Sequence, residues 1–63
     1  MSDFKKRLTI ENDELVEKTC KLEDFLATDE AQEIDEVQLM LLRIQLNAMN
    51  TYLSCLQERI GRL

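Results

Sequence analysis

Cationic side chains lie near both ends of this 63-residue chain. Three of them, Lys5, Lys6 and Arg7, lie near the N-terminus. Two more, Arg59 and Arg62, lie near the C-terminus. A guanidinium group binds phosphate or carboxylate through two parallel hydrogen bonds, whereas a lysine ammonium acts as a point charge. If the chain folds back on itself, these five cations meet at one end of the molecule and form a candidate anion-binding site.

The positions of these cations within helices separate them into two groups. Arg59 and Arg62 fall at the end of a predicted helix, where the helix dipole favours positive charge. Lys5, Lys6 and Arg7 fall in the first turns of another, where each opposes the dipole by some tenths of a kcal/mol. This second group therefore needs another explanation. Two remain open: salt bridges to acids of a neighbouring subunit, and an anion site where several chain ends meet.

Residues for catalysis or metal binding do not form a recognisable group. The sequence has no His, a single Gly (Gly61) and no Cys pair at metal-binding spacing, so we predict no enzyme activity, no cofactor and no metal site. Cys20 and Cys55 are expected to be small core residues. In a hairpin they lie about 18 Å apart along the helices, which excludes a disulfide within the chain and suits a reducing cytoplasm.

The elements that must position these residues are helices, since the sequence has no Pro and almost no Gly. We predict a single all-α domain, 1–63, that folds as an antiparallel two-helix hairpin. The first helix spans about 3–27, the connection 28–35 and the second helix about 36–61. The apolar residues of the first helix follow a three-four spacing and are Phe4, Leu8, Leu15, Leu22, Phe25 and Leu26.

The start of the second helix carries the clearest local signal. Asp35 and Gln38 have the spacing of a capping box, in which each side chain bonds the other residue's backbone N–H. Ile34 and Leu39 occupy the two positions of a hydrophobic staple. The helix should therefore begin at about Glu36.

The second helix is apolar on two opposite sides. One row follows a heptad spacing and comprises Leu39, Leu42, Leu46, Met49, Leu53, Leu56, Ile60 and Leu63. The other comprises Val37, Leu41, Ile44, Ala48 and Cys55. At about 100° per residue these rows face in nearly opposite directions. The first helix can cover only one of them, and the sequence does not tell which.

Self-association follows from this pattern, because a domain near 60 residues has a marginal core and the uncovered row would lie in water. We predict a homo-oligomeric helical bundle of undetermined subunit number. The candidate interface residues come from both rows: Leu39, Leu41, Leu42, Ile44, Leu46, Ala48, Met49, Leu53, Leu56 and Ile60. The alternatives are one partner protein of another kind and membrane insertion, and the polar residues of the helix argue against the membrane.

Charge is distributed unevenly along the chain. Residues 8–36 carry a net charge of −9, while residues 1–7 and 37–63 each carry +2. General nucleic-acid binding does not fit a protein with a net charge of −5. The acidic stretch could instead imitate nucleic acid in the basic groove of another protein, although surface acids usually serve solubility.

A resemblance adds a further expectation. The stretch Gln45-Leu46-x-Ala48-Met49-x-x-Tyr52, with Arg7-Leu8 before it and Arg59-Ile60 after it, resembles a family of small tailed-phage proteins named after a gene of a crAss-like phage. The resemblance covers about residues 7–60. It implies phage origin rather than a mechanism, and it draws attention to Gln45, Met49, Tyr52 and Arg59.

These observations predict a non-enzymatic phage accessory protein of the host cytoplasm that binds stoichiometrically and counters a host defence or regulatory protein. One alternative is an oligomer that sequesters a small anionic signal such as a cyclic nucleotide, with arginines on phosphate and Tyr52 stacked on a base. Another is an assembly protein without a ligand. The candidate ligand-binding residues are Lys5, Lys6, Arg7, Arg43, Gln45, Tyr52 and Arg59.

Overall fold

The computed structural model describes residues 2–63 as two long helices that form a hairpin. Helix α1 spans Ser2–Leu26, a short 3-10 helix spans Glu30–Glu33, and helix α2 spans Glu36–Gly61. No strand is present in this range. The hairpin is a rod of 47 × 15 × 13 Å, one helix thick and two helices wide. The predicted all-α helical hairpin is confirmed.

The heptad row of α2 faces α1. Leu56 is fully buried and packs with Leu8 and Leu15 of α1 to form the core. Met49, Leu53 and Ile60 of the same row are partly buried against that cluster, and Leu39, Leu42 and Leu46 are half-buried. The structure therefore answers the question that the sequence left open, because the heptad row is the one that closes the hairpin.

The face of α1 that meets α2 contains two polar residues. Thr19 is buried and donates its hydroxyl to the Leu15 carbonyl at 2.7 Å, so its polar group is satisfied. Asn12 lies on the same face, four residues after Leu8. Its Oδ1 is buried and accepts no hydrogen bond from residues 2–63. An unsatisfied buried acceptor destabilises a fold, so the contact between the helices is weaker than an all-apolar one.

Two predictions about the core are wrong. Phe4 was assigned to the apolar face of the first helix, but it is 49% exposed. Its ring lies beside Arg59, in the last turns of α2, where little of the second helix remains to cover it. Cys20 and Cys55 are free thiols on exposed faces rather than core residues.

Asp35 begins α2 as predicted. Its carboxylate accepts hydrogen bonds from the backbone N–H groups of Val37 and Gln38 at 3.1 and 3.2 Å. The return bond of a full capping box, from the Gln38 side chain, is not seen in the described range. Ala31, in the 3-10 helix of the connection, is completely buried, which no pattern in the sequence predicts. The cap and this buried methyl group fix where the chain turns.

The second apolar row of α2 is left open. Val37, Leu41 and Ile44 are each exposed over half or more of their surface, and so is Met40 beside them. Ala48 and Cys55 are also exposed. Neither long helix in residues 2–63 combines the length and hydropathy needed to cross a membrane.

Replacing Asn12 with Leu should stabilise the hairpin. The substitution removes the unsatisfied Oδ1 and adds apolar contact beside the core, so we expect the free energy of unfolding to rise by about 1 kcal/mol. In a domain this small that corresponds to about 4–8 °C in the thermal midpoint. Asn50→Leu, at an exposed position of α2, is the matched control. Its stability should rise only by the difference in helix propensity between Asn and Leu. A midpoint for Asn12→Leu no higher than that of the control would contradict this reading of the contact.

The cap at Asp35 can be tested against a neighbouring acid. Asp35→Ala removes two hydrogen bonds to backbone N–H groups and should lower the free energy of unfolding by about 1 kcal/mol. Asp29→Ala is the control, because Asp29 precedes the 3-10 helix and makes no side-chain cap bond. Both variants remove one negative charge from the turn. Equal midpoints in thermal unfolding would show that charge, rather than the cap, determines the effect.

Candidate functional site

A groove at the end of the hairpin where the two chain termini meet, called here the chain-end groove, contains two of the predicted anion-binding arginines. It is lined by Phe4, Arg7, Leu8 and Glu11 of α1 and by Arg59 of α2, and its volume is about 290 Å³. The first four residues share one helix face, since they are three, four and seven residues apart. Leu8 is buried and forms an apolar floor, while Phe4 remains half exposed at the rim.

The two arginines of this groove are not held by other groups. The salt bridges within residues 2–63 join Lys21 to Glu17 and Arg62 to Glu58, and neither involves Arg7 or Arg59. Two guanidinium groups above an apolar floor can bind a phosphate or carboxylate, and an exposed aromatic ring can stack on a planar group. Glu11 is the opposing charge in the lining and limits the positive potential there.

Lys5 and Lys6 do not line the groove. Both are exposed on the first turns of α1. They add positive charge to this end of the molecule, which attracts an anion from a distance without direct contact. Of the three N-terminal cations, Arg7 is the one that the structure places in a cavity.

Arg43 belongs to a different groove, close to the turn. This turn-side groove has a volume of about 440 Å³ and is lined by Glu23, Leu26 and Ala27 before the turn and by Arg43, Leu46 and Asn47 after it. Arg43 and Arg59 are separated by sixteen residues, or about 24 Å along the helix. Within one chain, therefore, they cannot hold the same small ligand.

Three of the predicted ligand residues share one side of α2. Gln45, Tyr52 and Arg59 follow each other at intervals of seven and so form a line along the helix. Tyr52 is 44% exposed, and the Gln45 amide lies 4.0 Å from the Met49 sulfur. Arg43 is on the far side of the helix from Gln45. The structure thus brings Arg7 and Arg59 together in one groove and leaves Arg43, Gln45 and Tyr52 outside it.

Several lining residues of the two grooves, among them Phe4, Glu11 and Asn47, are not in the predicted ligand-binding set. For Phe4 and Glu11 a signal existed, because their spacing from Arg7 places all three on one helix face. The sequence pattern places Phe4 instead on the apolar face of the first helix. Asn47 is one helix turn from Arg43 and could have been found in the same way. Among the described residues no group of His, Cys, Asp or Glu is arranged to hold a metal ion.

The architecture and its grooves define a small helical-hairpin protein with open, arginine-containing clefts. The chain belongs to the Sequestin family, since the model of that family matches residues 2–62. This match includes the whole stretch that resembled small tailed-phage proteins, but it shows no link to a crAss-like phage. Neither the curated proteins nor the solved structures gave a significant match.

Proposed function

We propose that this protein sequesters a small anionic ligand by stoichiometric, non-covalent binding. The observation that carries the proposal is the chain-end groove, where Arg7 and Arg59 have no carboxylate partner in residues 2–63 and lie over the floor formed by Leu8. The name of the family, Sequestin, agrees with a protein that acts by holding its target. A binding protein of this kind needs no catalytic residue.

The lining of the groove indicates the class of ligand. Two guanidinium groups suit a phosphate, and the exposed ring of Phe4 at the rim suits a planar base or another flat apolar group. A ligand with both features is a nucleotide, and a cyclic nucleotide signal is one example. Glu11 would disfavour a ligand that places a second anionic group at its side of the groove.

The groove of a single chain does not enclose a ligand. Its volume of about 290 Å³ lies at the lower limit of ordinary ligand pockets, roughly 300–1,000 Å³, which bury most of their ligand. A second subunit could supply the missing wall, since the open apolar row of α2 requires a partner in any case. We therefore propose that the binding unit is a homo-oligomer.

The biological setting is part of the proposal. If the protein is encoded by a phage, as the resemblance implied, the sequestered ligand would be a signal of a host defence or regulatory pathway in the host cytoplasm. A second candidate function is the capture of a host protein. It is favoured by the exposed acids of the turn, among them Asp29, Glu30 and Glu33, which could occupy a basic surface.

Ligand binding can be tested by thermal unfolding with a panel of nucleotides and cyclic nucleotides. A ligand present at one hundred times its dissociation constant stabilises the folded state by about 2.7 kcal/mol, and at least one compound should raise the midpoint. Arg59→Gln should abolish that shift. Arg62→Gln is the matched control, because Arg62 lies at the same end but is paired with Glu58 at 2.9 Å, and it should retain the shift. If no compound in the panel raises the midpoint, the small-ligand proposal fails.

Glu11 provides a test in the opposite direction. Glu11→Gln keeps the shape of the side chain and removes the negative charge from the groove. We expect the dissociation constant of an anionic ligand to fall by roughly threefold to tenfold, with a larger effect at low salt. Glu14→Gln, one helix turn away and outside the lining, controls for net charge. Calorimetric titrations that give the two variants the same affinity would remove Glu11 from the site.

A further inference from the structure

The exposed side of α2 is a continuous apolar surface, called here the outer row. At about 100° per residue, its members fall within roughly 120° of the helix circumference, directly opposite the heptad row. They are Val37, Met40, Leu41, Ile44, Ala48, Tyr52 and Cys55, all of them exposed. A monomeric protein rarely leaves such a stripe in water, because covering apolar surface is favourable.

The charges at the two ends of the hairpin determine how a second copy could cover this row. Residues 23–36, around the turn, carry seven carboxylates and no cation. Residues 2–7 and 58–63, at the opposite end, carry five cations against two carboxylates. Two hairpins packed in parallel would place their acidic turns side by side. Packed antiparallel, each acidic turn lies beside the basic end of the other copy, and attraction replaces repulsion.

The outer row also has a centre that suits a symmetric contact. Ala48 is four residues from both Ile44 and Tyr52, and seven residues from both Leu41 and Cys55. A two-fold axis at Ala48 therefore brings Ile44 level with Tyr52 of the second copy and Leu41 level with Cys55 of the second copy. Small residues at such a crossing let two helices approach closely, and larger side chains on both sides then interdigitate.

We propose that two copies of this chain pack antiparallel through their outer rows, about a two-fold axis beside Ala48. The proposal deepens the homo-oligomer of the proposed function and rests on it. The contact extends the two-helix layer into a layer of four helices, with the two α2 helices in the middle and both faces of each α2 covered. It leaves one chain-end groove at each end of the dimer, where the carboxylates of the other copy's turn would compete with an anionic ligand for the arginines.

Cysteine cross-linking tests the orientation directly. In the antiparallel dimer a cysteine at position 41 lies level with Cys55 of the second copy. The two Cys55 residues are then about 21 Å apart, beyond the reach of a disulfide, which needs Cα atoms within about 7 Å. Three variants separate the arrangements: Cys20→Ser with Leu41→Cys, Cys20→Ser alone, and Cys20→Ser with Leu41→Cys and Cys55→Ser. Leu41 is half exposed, so the substitution leaves the core intact.

Under mild oxidation without ligand, the first variant should form roughly tenfold more covalent dimer than either of the other two, because only it pairs two thiols within about 7 Å. Adding Ala48→Glu should abolish the cross-link, since it buries a charge at the two-fold axis. Ser54→Glu, off the outer row, is the control and should leave it unchanged. A cross-link through Cys55 alone would mean parallel packing and would overturn the proposal, and so would equal, low yields in all variants. Neither result would bear on ligand binding through Arg59, which the thermal-shift panel measures separately.

Discussion

A hairpin of two helices has one internal contact, and α2 has two apolar faces. This mismatch is the constraint on which the rest of the structure depends. The heptad row is closed by α1, with Leu56 at its centre, while Val37, Leu41 and Ile44 on the opposite side remain at least half exposed. No rearrangement within a single hairpin can cover both faces, because α1 is the only other long helix in the described range. The outer face of α2 therefore stays open to water in a single hairpin.

The internal contact is also modest for a free-standing domain. Its core contains few fully buried side chains, and the face of α1 includes the satisfied hydroxyl of Thr19 and the unsatisfied Oδ1 of Asn12. A domain of this length buries only about 60% of the surface that its unfolded chain exposes. Covering the outer row would thus contribute to folding as well as to assembly. Ligand grooves completed by a second subunit would then form only in the assembled protein.

The sequence predicted the features of this fold that depend on local pattern. The two long helices expected from the low Gly and Pro content are present in the structure. So are the packed heptad row and the cap at Asp35. It could not predict which row closes the hairpin, because two apolar rows on opposite sides of a helix have the same periodicity. The prediction also failed at Phe4, an apolar residue that lies opposite the last turn of α2 and stays half exposed. Core membership there depends on the register of the hairpin, which no local pattern records.

The sequence predicted that a cationic site lies at the chain ends, but it did not predict which residues line it. The concentration of cations at the chain ends follows from antiparallel folding, and Arg7 and Arg59 do share a groove. Their neighbours Phe4 and Glu11 depend on the packing of one helix turn against another. Arg43 was grouped with Arg59 by charge alone, and its position on the helix separates them. Spacing along a helix was thus a better guide to shared sites than residue type.

The central claim, that the second apolar face of α2 requires a neighbour, is tested most directly by the mass of the protein in solution. Light scattering at micromolar concentration should give a multiple of the 7.4 kDa chain mass, together with a helical circular dichroism spectrum. A well-folded, non-aggregating species of one chain mass would contradict the account.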